Sequence, residues 1–147
     1  MGVFIEVNIS EIEKLAMKLN SYALSNKQRE NLLYDIGVEV REQTLDRFDF
    51  ETDSEGNPWK KLVDATIKFK NKICNSGILE RSGLLKDSLD VQVKDANSVL
   101  IGSPRHYAEY HQTGTKKLPA RPFLGISTDN INDLELIIDK WVKNHVG

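Results

Sequence analysis

The feature that most narrows the fold of this chain is a change of period. Apolar residues recur at helical spacing near both ends, and one stretch between them alternates strictly. Ile12, Leu15, Ala16 and Leu19 share one helical face. Ser10 and Glu13 supply a capping-box pattern ahead of them, which predicts a first helix from about Ser10 to Leu24. Ser25 and Gln28 repeat the pattern, and Leu32, Leu33, Ile36, Val40 and Thr44 carry a second apolar face towards Phe48. Gly37 is the weak point of that second, longer helix. At the far end Ile131, Leu134, Ile138, Trp141 and Val142 form a third stripe behind a cap at Ser127 or Thr128. Asp129 and Asp133 come early in it and Lys140 and Lys143 late, the order the helix dipole favours.

Between these helices the texture differs. Glu51 to Pro58 is acidic and rich in turn formers, and Gly56-Asn57-Pro58 breaks any helix. Val63 to Lys72 reads as a short helix and Asn75-Ser76-Gly77 as a loop. Ser82-Gly83 opens a short segment, Leu84 to Ser88. Leu89, Val91 and Val93 then alternate with Asp90 and Gln92, the period of a half-buried strand. Asp95-Ala96-Asn97 turns the chain, and Val99 to Gly102 returns with little alternation, so an antiparallel hairpin is expected from Leu89 to Gly102. His106 to Gln112 suits one or two helical turns, Gly114 to Pro119 a loop, and Arg121 to Ile126 an extended segment. The first nine residues receive no element. The expected fold is α+β: N-terminal helices and a C-terminal helix packed on a small antiparallel sheet, in a single domain over residues 1–147.

Composition removes several function classes. Apolar residues make up 39% and charged residues 29%, ordinary for a globular domain, and the net charge of −2 argues against a protein whose main task is holding nucleic acid. The single cysteine, Cys74, allows no intrachain disulfide, which suits a reducing cytoplasm, and a catalytic role for it has no supporting pattern. Met1 to Ser10 lacks the charged and apolar regions of a signal peptide. No apolar run approaches the roughly 20 residues that span a bilayer, so no membrane association is expected.

Three constellations could carry chemistry. His106, Glu109 and His111 are zinc-ligating types, and they define the enzyme alternative, a small metal-dependent hydrolase. Their spacing is poor, because helical residues five apart point about 140° away from each other. The inverted zinc-protease pattern H-x-x-E-H fails by one residue. No metal site, cofactor site or catalytic residue is therefore assigned. Lys60, Lys61, Lys68, Lys70 and Lys72 lie near Trp59 and Phe69, and basic residues interleaved with aromatics suit single-stranded nucleic acid. The commoner reading is a solvated helix face, so DNA contact is a secondary expectation and a nucleic-acid-binding module the other alternative. In Leu118-Pro119-Ala120-Arg121-Pro122-Phe123-Leu124 two prolines fix an extended backbone around one guanidinium and one large apolar ring. Phe123 reads more as core than interface, and Arg121 the reverse, so Arg121→Ala is expected to leave folding intact.

Four blocks in order resemble the phage virion-morphogenesis family, which includes tail-completion proteins and relatives in Mu-like phages. Gly56-Asn57-Pro58-Trp59 through Lys70 is similar to its G-x-x-W segment. Leu79 to Leu89 is similar to its L-x-x-[ST]-G-x-L-x-x-S block. Ile101-Gly102-Ser103 with Tyr107-Ala108 and His111-Gln112-Thr113-Gly114 is similar to its G-x-x-x-x-Y-A-x-x-H-Q-x-G block. Pro119 to Gly125, PARPFLG, is the most specific of the four. The resemblance implies a non-enzymatic structural role in assembling a tailed phage or prophage, at tail completion or head–tail joining. The implied partners are tail or head–tail connector proteins, with a ring-like homo-oligomer plausible. The implied location is the bacterial host cytoplasm during assembly, with later incorporation in the virion. On this reading Trp59, Tyr107, His111, Gly114, Lys116, Lys117, Arg121, Pro122 and Phe123 are the candidate assembly contacts. His111 is expected to hold the Gly114 turn and so present the basic loop Thr115 to Leu118 as a docking surface.

Overall fold

The computed structural model describes residues 2–60 and 84–145. The expected helix at Val63–Lys72, the loop at Asn75–Gly77, Cys74 and the lysine run beyond Lys60 lie outside the described residues. The architecture is α+β, as the periods require: strand β1 (Val3–Asn8), helices α1 (Glu13–Asn20), α2 (Asn26–Phe50) and α3 (Leu84–Asp87), strands β2 (Asp90–Val93) and β3 (Ser98–Ser103), then α4 (Ala108–Thr113) and α5 (Thr128–His145). The strands form an antiparallel sheet of order β1–β3–β2. Among the described residues no helix is long and apolar enough to cross a membrane.

The hairpin lies where the alternation put it, with Val93 opposite Val99 and Asp90 opposite Gly102. Asp95 closes its turn by accepting from the Asn97 amide at 2.8 Å. β1 was not anticipated. It pairs with β3 from Val3–Ser103 to Asn8–Ser98, which makes β3 the central strand. Val99 to Gly102 alternates little because Ser98 and Gly102, on the opposite face from Val99 and Ile101, are buried as well.

β1 also changes the start of the first helix. The Ile9 amide donates to the Asn97 carbonyl at 2.8 Å, continuing the ladder, and the Ile9 side chain is buried. Ser10 and Glu13 therefore do not form the expected capping box. Asn8 Oδ1 accepts from the Ser10 amide at 3.0 Å and caps a single 3-10 turn, Ile9–Glu11, before α1 begins. α1 ends at Asn20 rather than Leu24, because the following turn carries Ala23 at φ +51°. The second capping box is present as expected: Ser25 Oγ accepts from the Gln28 amide, and Gln28 Oε1 accepts from the Ser25 amide.

The helices cover one face of the sheet. Leu15 and Leu19 of α1, Leu32, Leu33, Ile36 and Val40 of α2, and Leu134, Ile138 and Trp141 of α5 close over Val7, Val99 and Ile101. Gly37 sits at the closest approach of α2 to the sheet. A Cβ there would overlap Val91 Cγ1 and lie 2.8 Å from Val99 Cγ2. Gly37→Ala should gain helix propensity of about 1 kcal/mol. It should lose more by pushing α2 off two stiff β-branched side chains, for a net destabilisation of about 1–3 kcal/mol in urea unfolding.

Across the helix layer, Asp139 of α5 accepts from Lys18 Nζ at 2.7 Å and from the Tyr22 hydroxyl at 2.9 Å. The Lys18 hydrogen bond, then that of Tyr22, holds this carboxyl below its ordinary value. Its stabilisation is therefore present above the unfolded-state value and is lost as pH falls through the folded one. Asp139→Asn should lower the melting temperature at neutral pH and flatten the acid limb of its pH curve, the two proteins converging as the wild-type carboxyl protonates.

Candidate functional site

A second, smaller core lies beside the first. It consists of Phe48, Trp59, Leu85, Leu89, Ala108, Phe123 and Leu124, with Val3, Ile5, Leu45 and Tyr107 packed around it. Every one of the four motif blocks supplies at least one of its buried residues.

Each block reaches this core by its own local device. Beyond α2, Glu51 takes a left-handed conformation and the chain folds back. Asp53 Oδ1 accepts from the Glu55 and Asn57 amides, and Thr52 pairs with Pro58. The acidic turn thereby delivers Trp59 inward, edge-on to Phe48 at 5.6 Å between ring centres, and Phe48 lies 5.6 Å from Phe123. Trp59 Nε1 donates to the Pro122 carbonyl at 2.7 Å, which satisfies the indole at the rim of the core. Leu85 and Leu89 close one side, and Ser88 Oγ meets Ser103 Oγ at 2.6 Å, tying the second block to β3.

PARPFLG lies outside any helix or strand and is fastened largely by side chains. Gln112 Oε1 accepts from the Phe123 and Leu124 amides, each at 3.0 Å, and its Nε2 donates to the Leu124 carbonyl at 3.1 Å. From α2, Arg47 donates to the Phe123 carbonyl at 2.7 Å and to Asn130 Oδ1 at 2.9 Å. Asn130 also completes the α5 cap with Ser127, the nearer of the two expected capping residues. Desolvation lowers the Arg47 pKa, and the nearby carboxylates of Asp53, Asp46 and Glu55 oppose that shift.

The candidate contact residues fall into two groups. Trp59, Arg121 and Phe123 are interior, at 4%, 6% and 0% exposure, and Tyr107, His111, Gly114 and Pro122 are half-buried around them. Lys116 and Lys117 project from the loop. The turn that presents them is held by Gly114, at φ +80°, whose amide donates to Tyr110, and by the Arg121 amide donating to the His111 carbonyl at 2.7 Å. Gln112, next to His111, reaches across this turn to fasten PARPFLG. Arg121 Nε donates to the Lys60 carbonyl at 2.8 Å. Desolvation lowers the Arg121 pKa, opposed by Glu51. The expectation of intact folding in Arg121→Ala assumed an exposed side chain. Given its burial, the variant is expected to lose about 1–3 kcal/mol of stability in denaturant unfolding.

The three candidate metal ligands do not converge. His106 and Glu109 are exposed, and the Tyr107 ring contacts both imidazoles edge-on, at 5.6 Å to His106 and 6.1 Å to His111. Among the described residues no group of three or more His, Cys, Asp or Glu side chains is placed to hold a metal ion.

Gln112, Arg47 and Asn130 were missed by sequence reasoning. Arg47 had a usable signal: with Val40, Thr44 and Phe48 it falls on the buried face of α2. Gln112 had only its place in the block beside His111.

The sequence profile of the phage virion morphogenesis family matches residues 7–143. The chain belongs to that family. The match takes in the buried residues of both cores and all four blocks. The chain is also similar to the Mu-like prophage FluMu G protein 1 of Haemophilus influenzae, 34% identical over 104 residues, which are 69% of this chain and 70% of that protein. No solved structure matches. Membership of the virion morphogenesis family places the protein in phage assembly.

Proposed function

We propose that this chain is a non-catalytic structural subunit that acts in tail completion or head–tail joining. It would be made in the host cytoplasm and contact other tail or connector proteins. The observation that carries the reading is the use made of the motif residues. Trp59, Gln112 and Phe123 meet around the PARPFLG segment, and the short basic loop just before it is closed by the Thr115–Leu118 and Arg121–His111 backbone bonds. A braced loop on a rigid frame is what a docking subunit requires, because little order has to be gained on contact.

Electron microscopy of particles made with and without this gene, in an inducible parent phage, tests the proposal. Normal heads beside separate or malformed tails in the deletion are expected, and the stage of arrest identifies the step. Intact infectious particles without the gene would overturn it.

A further inference from the structure

The end of α2 and the start of α5 enclose a cleft of about 380 Å³. Asp46, Asp53, Glu55, Asp129 and Asp133 line it. Asp53 is engaged in its own turn, and Arg47, the cation in the wall, is turned to Phe123 and Asn130. Among the described residues, Asp46, Glu55, Asp129 and Asp133 have no ion-pair partner. The crowding of carboxylates extends to Glu39, whose pKa is raised by desolvation and then by Asp133, Glu42 and Asp46.

Two further observations point to an occupant. Gln43, 8% exposed and part of the cleft lining, has a carbonyl oxygen with no hydrogen-bond partner among the described residues, an uncommon state for a buried acceptor. At the mouth, Phe50 is 76% exposed. The cleft thus offers negative charge, an unmet acceptor and one apolar surface.

The complementary object is on the same chain. Lys116 and Lys117 are exposed and, among the described residues, pair with no carboxylate, and Leu118 beside them is 40% exposed. The loop is preorganised: the Thr115 amide donates to the Leu118 carbonyl at 2.8 Å, and Thr115 Oγ1 accepts from the Lys117 and Leu118 amides. We propose that the acidic cleft receives the Lys116–Leu118 loop of a second copy of this chain. The ammonium groups enter among the carboxylates and Leu118 meets Phe50. Loop and cleft are different patches, so the contact is head-to-tail and propagates into a closed ring or an open filament. The inference concerns the purified protein and does not depend on which assembly step the family role serves.

Sedimentation of the purified full chain at several concentrations and ionic strengths tests it. Association at low salt that weakens as salt screens the charges is expected. K116E/K117E and D46K/E55K should each weaken association by about tenfold or more. Mixing the two variants should restore it, because each loop then faces a cleft of opposite sign. If D46K/E55K loses its helical circular dichroism, K116E/K117E added to wild type serves instead. It accepts a loop without offering one, and should shorten wild-type assemblies. A wild-type monomer at every concentration overturns the proposal, as does association indifferent to both charge reversals. A wild-type monomer combined with a cleft variant that fails to enter particles assigns the cleft to another virion protein, and also overturns it.

Discussion

Phe123→Ala is expected to destabilise the fold by about 3–5 kcal/mol, a large part of the roughly 5–15 kcal/mol that holds a domain of this kind together. The ring is fully buried against Phe48, which in turn stands edge-on to Trp59. Its removal takes away transfer energy and aromatic contact together. The upper half of the range applies because the site cannot collapse. Arg47 holds the Phe123 carbonyl and Gln112 holds its amide, so the backbone cannot move in to fill the void. Urea unfolding gives the value, provided the slope of the transition is unchanged. Leu136→Ala, at a side chain 67% exposed, is the control and should fall within about 0.5 kcal/mol of wild type. A loss below about 1 kcal/mol for Phe123→Ala would mean that the second core is not a cooperative part of the domain.

Gln112→Leu carries the second large effect, about 2–5 kcal/mol. Leucine nearly preserves volume but leaves the Phe123 and Leu124 amides without their acceptor, each worth about 1–3 kcal/mol when desolvated. Gln112→Glu should lose less. A carboxylate still accepts from both amides, but it gives up the bond donated to the Leu124 carbonyl and sets oxygen against oxygen. Hydrogen exchange separates a local effect from a global one. Amides 123 and 124 should exchange faster in Gln112→Leu, under conditions in which the core amides of α2 keep their protection. Unchanged exchange at those two positions would show that PARPFLG is held by its prolines and ring contacts alone.

Much of this was legible in the sequence, and the exceptions have physical causes. The three long apolar stripes and the hairpin follow from periodicity, which is local. β1 was hidden because Phe4 interrupts the alternation of Val3, Ile5 and Val7, so the segment lacks a clean period of two. The capping box at Ser10 is sound as a pattern, and it yielded to a long-range bond from Ile9 to Asn97. Arg121, flanked by Pro119 and Pro122, looks available to a partner because one of its acceptors is the Lys60 main chain, and a carbonyl leaves no mark in a sequence. Gln112 was overlooked for the same reason: its three bonds all go to backbone. Family blocks thus indicated which residues meet, while polar fastening to main chain became visible only in three dimensions.

The place of β1 at the sheet edge sets a timetable for the newborn chain. Its partner residues, Ser98 to Ser103, are translated about 90 positions after Asn8. At ribosomal speeds, β1 therefore waits on the order of 5–20 s before its ladder can form. The β2–β3 hairpin closes over a short loop, whereas β1 must be recruited across most of the chain, the slower event. Throughout that wait the apolar residues Val3, Phe4, Ile5 and Val7 lack their ladder and are open to the same segment of another nascent copy. Yield of the folded chain then depends on how quickly residues 98–103 arrive to claim it.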